Sequence, residues 1–148
     1  MKTQLAFTIH EMAWLIDNIA DDLLRTCLGI SFSTGRFPMI ASEHEPCSQR
    51  ELADYVWVSP AAVTKALPSL VQQGWVVIQV DPKQPRRNFV SLTEAGRKMA
   101  ASCRAVLELE FQTLLETSGV DLGSVTKAIQ SIHSALYLKA GAQQEAQT

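Results

Sequence analysis

Residues 48–96 read SQRELADYVWVSPAAVTKALPSLVQQGWVVIQVDPKQPRRNFVSLTEAG, and the order of signals in this stretch decides the fold. The spacing predicts a short helix from Gln49 to about Val56, with Leu52, Ala53 and Val56 on one face. A break follows at Trp57-Val58. Ser59-Pro60 opens a second helix: serine is a favoured N-cap, and a proline at the first helical position gives up only an N–H that has no partner there. Val63, Leu67, Leu70 and Val71 repeat at i, i+4, i+7 and i+8, which turns one face inward. Ala62, Thr64, Lys65, Ser69 and Gln72 give the other face small or hydrogen-bonding side chains, and Gly74 ends the helix.

Two helices joined by a tight break, the second small and polar outside, suit a helix-turn-helix. The second helix of that motif lies in the DNA major groove with its N-terminal residues at base edges. Ser59, Ala62, Thr64, Lys65 and Ser69 are the candidate reading residues, Thr64 for a base edge or thymine methyl and Lys65 for a guanine or phosphate. WVVIQV and NFVSL then read as strands joined by DPKQPRR, whose Asp-Pro and Gln-Pro are turn material. Lys83, Arg86 and Arg87 place three cations on that hairpin, which suits the phosphate or minor-groove contact of a wing. Trp57 and Trp75 are expected in the core, one closing the helix-turn-helix and one starting the wing.

Net charge is −2, which alone argues against nucleic acid, but its distribution is uneven. Between Gln49 and Lys98 lie seven basic residues (Arg50, Lys65, Lys83, Arg86, Arg87, Arg97, Lys98) and four acidic ones (Glu51, Asp54, Asp81, Glu94), a net of +3, whereas the flanks carry −3 and −2. A positive middle between acidic flanks is the pattern of a DNA-facing lobe beside a separate dimer lobe. The 47% apolar and 19% charged content is that of a globular chain. No apolar run reaches membrane-spanning length, and Met1 to Ala20, with Glu11 and Asp17, does not read as a signal peptide. Three scattered cysteines, Cys27, Cys47 and Cys103, fit reduced thiols, so a cytoplasmic location is expected.

Outside the central stretch the pattern is helical. Ile9, Met12, Ile16, Ile19 and Leu23 mark a first helix over about Thr8 to Leu28. A second, weakened by Gly35 and Pro38, runs from about Ser33 to Ser42. Met99, Cys103, Val106, Leu107, Phe111, Leu114 and Leu115 mark a long helix after the Thr93 N-cap, ending near Thr117. Asp121 caps a last helix to about Ala140, and residues 141–148 read as a frayed tail. The fold class is therefore mainly α with a small β wing: a winged helix-turn-helix lobe at 31–98 with dimerisation helices at 1–30 and 99–140, all in one domain. The terminal helices carry more apolar surface than one winged helix buries, which points to a homodimer.

These residues resemble the MarR (multiple antibiotic resistance regulator) family of bacterial transcription factors. The resemblance runs from ELADYVWVSPAAVTKALPSLVQQGWV through DPKQPRRNFVSLTEAG, and the closure Leu92, Thr93, Glu94, Gly96 after a basic wing is its most specific part. It implies a triangular dimer that binds pseudo-palindromic double-stranded DNA, most often as a repressor. Two positions depart from the family pattern. Gln84 stands where an acid usually pairs with the wing arginine, here Arg86, and Pro68 interrupts the recognition helix where a polar residue is usual. The resemblance also implies an effector, a small aromatic or phenolic acid held between the dimer helices and the winged helix. The candidates are His10, Met12 and Trp14 on the first helix and Arg36, Phe37 and Ile40 on the second. The alternative for Trp14 and Phe37 is core packing, and for Arg36 a surface charge.

Other chemistry lacks a constellation. His10, His44 and His133 are far apart, so no metal site built within one element is expected, nor any cofactor or catalytic triad. The peroxide-sensing branch of the family carries its reactive cysteine early in the first helix. Cys27 lies at the end of that helix, so buried structural thiols are expected instead. From a different class, Pro68, Gln84 and the net acidity suit a winged-helix adaptor that binds proteins and no longer reads DNA; the basic hairpin argues against it.

Overall fold

The helix-turn-helix begins where Ser48 and Glu51 cap each other. In the computed structural model, which describes residues 4–145, the Ser48 hydroxyl accepts the Glu51 N–H at 3.2 Å and the Glu51 carboxylate accepts the Ser48 N–H at 2.7 Å. This reciprocal box fixes the start of a helix at Gln49–Val56. The S-x-x-E pattern was available in the sequence as its signature.

The order of elements is α1 (Leu5–Leu28), α2 (Phe32–His44), β1 (Cys47–Ser48), α3 (Gln49–Val56), α4 (Pro60–Gln72), β2 (Val76–Val80), β3 (Asn88–Leu92), α5 (Glu94–Ser118) and α6 (Leu122–Glu145). The expected class, mainly helical with a small β wing, is the one observed. Two compact units divide the chain, Met1–Glu108 and Leu109–Thr148.

In the first unit Leu52, Val56, Val63, Leu67 and Leu70 from α3 and α4 meet Phe37 and Ala41 of α2, Trp75 just before β2, and Val90 and Leu92 of β3 in one buried cluster. Val63, Leu67 and Leu70 of the apolar stripe read from α4 form this face, whereas Val71 is exposed. Leu24, Met39 and Cys103 form a second cluster where α1, α2 and the start of α5 converge. Gly35 allows that convergence, because a Cβ there would stand 3.0 Å from Leu24 Cδ1 and 3.3 Å from Cys103 Sγ. Arg104 donates to the Met39 carbonyl and lies 2.8 Å from Glu43, tying α5 to α2.

The wing is a hairpin in antiparallel register from Val76↔Leu92 to Val80↔Asn88. A third strand, β1, pairs with the far edge of β3 at Cys47↔Val90 and was not expected from the sequence. Its two residues are too few to show a period. The Leu-Thr-Glu-Ala-Gly closure has a direct physical cause. Thr93 donates through its N–H to the Trp75 carbonyl at 2.9 Å and through its hydroxyl to the Gly74 carbonyl, and the same hydroxyl accepts the Gly96 N–H at 3.0 Å. A Cβ on Gly96 would collide with the Trp75 carbonyl, so only glycine lets α5 start against the wing.

Several expectations need correction. Trp75 is buried as expected, but Trp57 is 70% exposed. It occupies the C-cap of α3 with φ 61°, a left-handed conformation that turns its side chain away from the core while its N–H and that of Val58 return to α3 carbonyls. Cys27 is exposed, whereas Cys47 and Cys103 are buried. The first helix starts at Leu5 rather than Thr8, and α2 extends through Gly35 and Pro38 to His44. The last helix reaches Glu145, past the start of the expected tail, of which residues 146–148 lie outside the described ones.

In the second unit Gly119 adopts φ 71° after α5, and the Asp121 carboxylate accepts the Ser124 N–H at 2.8 Å as the cap of α6. The Ser124 hydroxyl, and then this backbone N–H, hold the Asp121 carboxyl below its usual range.

A candidate nucleic-acid interface

The recognition helix is capped by the Ser59 hydroxyl, which accepts the Ala62 N–H at 3.1 Å, and Pro60 occupies its first turn. It runs without interruption from Pro60 to Gln72, through Pro68. Of the residues expected to read DNA, Ser59, Thr64, Lys65 and Ser69 are exposed. Ala62 is half-buried and, with Lys65 and Ser69, lines a cavity against α2. Thr64 bonds back to the Pro60 carbonyl at 3.1 Å, which steers its methyl group and leaves the hydroxyl an accepting lone pair.

The wing loop is a closed turn. The Asp81 N–H donates to the Arg87 carbonyl at 2.8 Å, the Arg87 N–H to the Gln84 carbonyl at 2.7 Å, and the Lys83 N–H to the Asp81 carboxylate at 2.8 Å. Asp81 is itself buried. These bonds close the turn through the backbone of Gln84 and the side chain of Asp81, with no acid at position 84.

The three wing cations differ in setting. Arg87 lies 4.9 Å over the Phe89 ring and 3.5 Å from Glu51, so its charge is shared with α3. Lys83 and Arg86 form no ion pair among the described residues. Between the N-terminus of α3 and the wing is a cleft of about 420 Å³ lined by Arg50, Arg86 and Arg87 with Ser48, Gln49, Gln84 and Asn88. Arg50 was counted in the sequence only as part of the charge balance. Its place beside the wing becomes apparent only when the hairpin folds back onto α3.

The six residues expected to hold an effector are divided. Arg36 and Phe37 line a cavity of about 310 Å³ with residues of α4. Phe37 is also part of the core, and Ile40 packs against it. His10, Met12 and Trp14 stand exposed on α1 and do not line that cavity. Among the described residues no helix is long and apolar enough to cross a membrane.

Known proteins are similar to this chain in sequence and in fold. The MarR family model matches residues 39–86, the end of α2 through the wing loop. The transcriptional regulator AdcR of Streptococcus pneumoniae serotype 2 (strain D39) is 44% identical over 98 residues, which is 66% of this chain and 66% of that one. The chain belongs to the MarR family of transcriptional regulators. Among solved structures, the transcriptional regulator BldR from Sulfolobus solfataricus superposes with a TM-score of 0.76 at 26% identity, over 90% of this chain and 95% of that one. At fold level this MarR-family chain is also similar to a mutant MarR from E. coli complexed with operator DNA (TM-score 0.75, 22% identity, 90% and 94% covered). The same holds for CouR from Rhodococcus jostii RHA1 bound to p-coumaroyl-CoA (TM-score 0.75, 19% identity, 90% and 92% covered).

Proposed function

We propose that this protein is a cytoplasmic repressor that binds pseudo-palindromic double-stranded DNA as a homodimer and releases it when a small aromatic or phenolic acid binds. The observation that carries the DNA reading is the pairing of an exposed, serine-capped α4 with a cleft in which Arg50, Arg86 and Arg87 converge beside it. In a helix-turn-helix the first helix crosses the sugar-phosphate backbone while the second enters the groove. A duplex so placed brings a backbone phosphate to the cleft between α3 and the wing. Ser59, Ala62, Thr64, Lys65 and Ser69 then face base edges, and Lys83, Arg86 and Arg87 phosphates or the minor groove.

The homodimer is supported by apolar side chains left in solvent on the terminal helices. Phe7, Met12, Trp14 and Leu15 are exposed on α1, and Ile129, Leu136 and Leu138 on α6. Side chains of that kind, in groups, belong to an interface. Residues 1–30 and 99–140 are its proposed elements. A two-fold dimer presents its recognition helices about one turn of DNA apart, which matches a pseudo-palindrome. The operator-bound MarR and the p-coumaroyl-CoA-bound CouR among the fold relatives support DNA binding and response to an organic acid derivative.

Fluorescence anisotropy tests the proposal: DNA from immediately upstream of the protein's own gene against a scrambled duplex, at two salt concentrations. Tight, salt-sensitive binding that prefers the native sequence is expected. Equal and weak binding to both duplexes would favour the adaptor reading instead.

A further inference from the structure

We propose that the indole of Trp57 belongs to the DNA interface, packing on a deoxyribose and donating its Nε1–H to a phosphate of the strand that α3 crosses. This rests on the DNA reading above and adds to it an uncharged contact.

Two unfavourable features meet at Trp57. Its φ of 61° and ψ of 42° lie in the left-handed region, where a Cβ is strained. Its side chain is largely in water. The cap explains the backbone but not the residue. The N–H groups of Trp57 and Val58 return to the carbonyls of Asp54 and Ala53 at 3.3 and 3.0 Å, which closes α3 and sets the turn into α4. That geometry asks for glycine, and the chain supplies it elsewhere. Gly29, Gly74 and Gly119 follow α1, α4 and α5 with φ between 71° and 74°. Among the described residues Trp57 alone has a positive φ without being glycine. Glycine serves the cap better, so the indole answers to something outside the chain.

The place of Trp57 names what it meets. With eight residues, α3 spans about 12 Å. Arg50, in its first turn, lines the cleft beside the wing, and Trp57 closes its far end. The first helix of a helix-turn-helix lies across the sugar-phosphate backbone, so its two ends border one strand. Trp57 also stands two residues before Ser59, the N-cap of the recognition helix, and their Cα atoms are within about 7.6 Å of each other. Val58, between them, is half-buried and lines the cavity against α2. The turn thus sends one side chain inward and leaves the indole outside, beside the residues that enter the groove.

A nucleic-acid backbone matches an indole in both its parts. Deoxyribose offers apolar C–H surface to the ring, and a phosphate oxygen accepts its single N–H. A donor without charge displaces no counterion. The contact therefore adds affinity and register without salt dependence, which sets it apart from Arg50 and the wing cations.

Binding by the wild type, Trp57→Phe and Trp57→Gly tests this, with DNA from immediately upstream of the protein's own gene at several salt concentrations. Trp57→Gly should lower affinity about tenfold and Trp57→Phe about threefold. The slope of log affinity against log salt should be the same in all three. The melting temperature of Trp57→Gly should not fall, because glycine takes the left-handed cap without strain. Acrylamide quenching reads the indole directly: the emission lost in Trp57→Phe separates Trp57 from Trp14 and Trp75, and the duplex should shield it. Wild-type affinity in Trp57→Gly, or an indole as open to acrylamide in the complex as in the free protein, would overturn the contact and assign Trp57 to a protein partner. Weaker binding together with a lower melting temperature would make its role structural and overturn the contact too. A flatter salt slope would do the same, since it marks a displaced cation. Failure of the wild type itself to bind this DNA would overturn the DNA reading as well, whereas the other adverse outcomes leave that reading standing.

Discussion

One oxygen of Glu51, Oε2, accepts the N–H of Ser48 at 2.7 Å and the guanidinium of Arg87 at 3.5 Å. One side chain thus starts the helix-turn-helix and holds the base of the wing. Glu51→Ala should lower stability by about 1 kcal/mol, the usual cost of losing a cap, because the exposed ion pair adds little. Chemical denaturation measures this, and a loss well above that size would show that the ion pair matters.

The same carboxylate predicts a pH dependence. The Ser48 backbone N–H, then its hydroxyl and Arg87, hold the Glu51 carboxyl below its ordinary range. A group whose folded-state pKa is depressed stabilises the fold above its unfolded pKa, and that contribution is lost as pH falls through the folded value. Melting temperature should therefore fall on acidification below the ordinary glutamate range, and fall less in Glu51→Gln. Parallel curves for the two proteins would count against this assignment.

Gly96→Ala should be among the most damaging single changes. The added methyl meets the Trp75 carbonyl, a backbone atom that cannot rotate away. Moving the start of α5 is the remaining route, and overpacking of that kind costs about 3 kcal/mol. Denaturant midpoints would show it. Gly35→Ala should cost less, since its neighbours are the ends of flexible side chains.

Arg50→Ala should weaken binding to specific and scrambled duplexes alike and reduce the slope of log affinity against log salt by about one, as expected for loss of a phosphate contact. Arg86→Ala should behave similarly. Lys65→Ala should in addition relax sequence preference. An unchanged salt slope in Arg50→Ala would place the α3–wing cleft away from the duplex.

Thiol labelling should separate the cysteines. Burial, with Glu51 and Glu45 nearby, pushes the Cys47 thiol up to about 11, and burial also raises Cys103. Both stay protonated at neutral pH and shielded, while Cys27 is exposed. Native iodoacetamide treatment at pH 7–8 should modify Cys27 first, with Cys47 and Cys103 reacting only after denaturation. Mass spectrometry of the digested protein locates the adducts.

The helix-turn-helix and the two wing strands were readable in the sequence because local chemistry sets them. Ser59-Pro60, the spacing of Val63, Leu67 and Leu70, and the turn residues 81–87 each act within a few positions. What was not readable depends on the chain folding back on itself. β1 is defined only by its partner Val90, and Arg50 joins the wing cations only across α3. Arg36 and Lys65 come to line one cavity only when α2 and α4 pack together. Trp57 was misplaced for a different reason: its size suggests burial, but its left-handed backbone faces it outward.

The wing loop is closed by its own hydrogen bonds from Asp81 to Arg87. A loose loop carrying Lys83 and Arg86 would surrender its freedom at the moment of contact, and part of each charge interaction would be offset by that ordering. Here the ordering happens on folding. A more favourable association entropy should therefore distinguish this wing from a glycine-rich replacement with the same cations, even where the number of phosphates touched is identical.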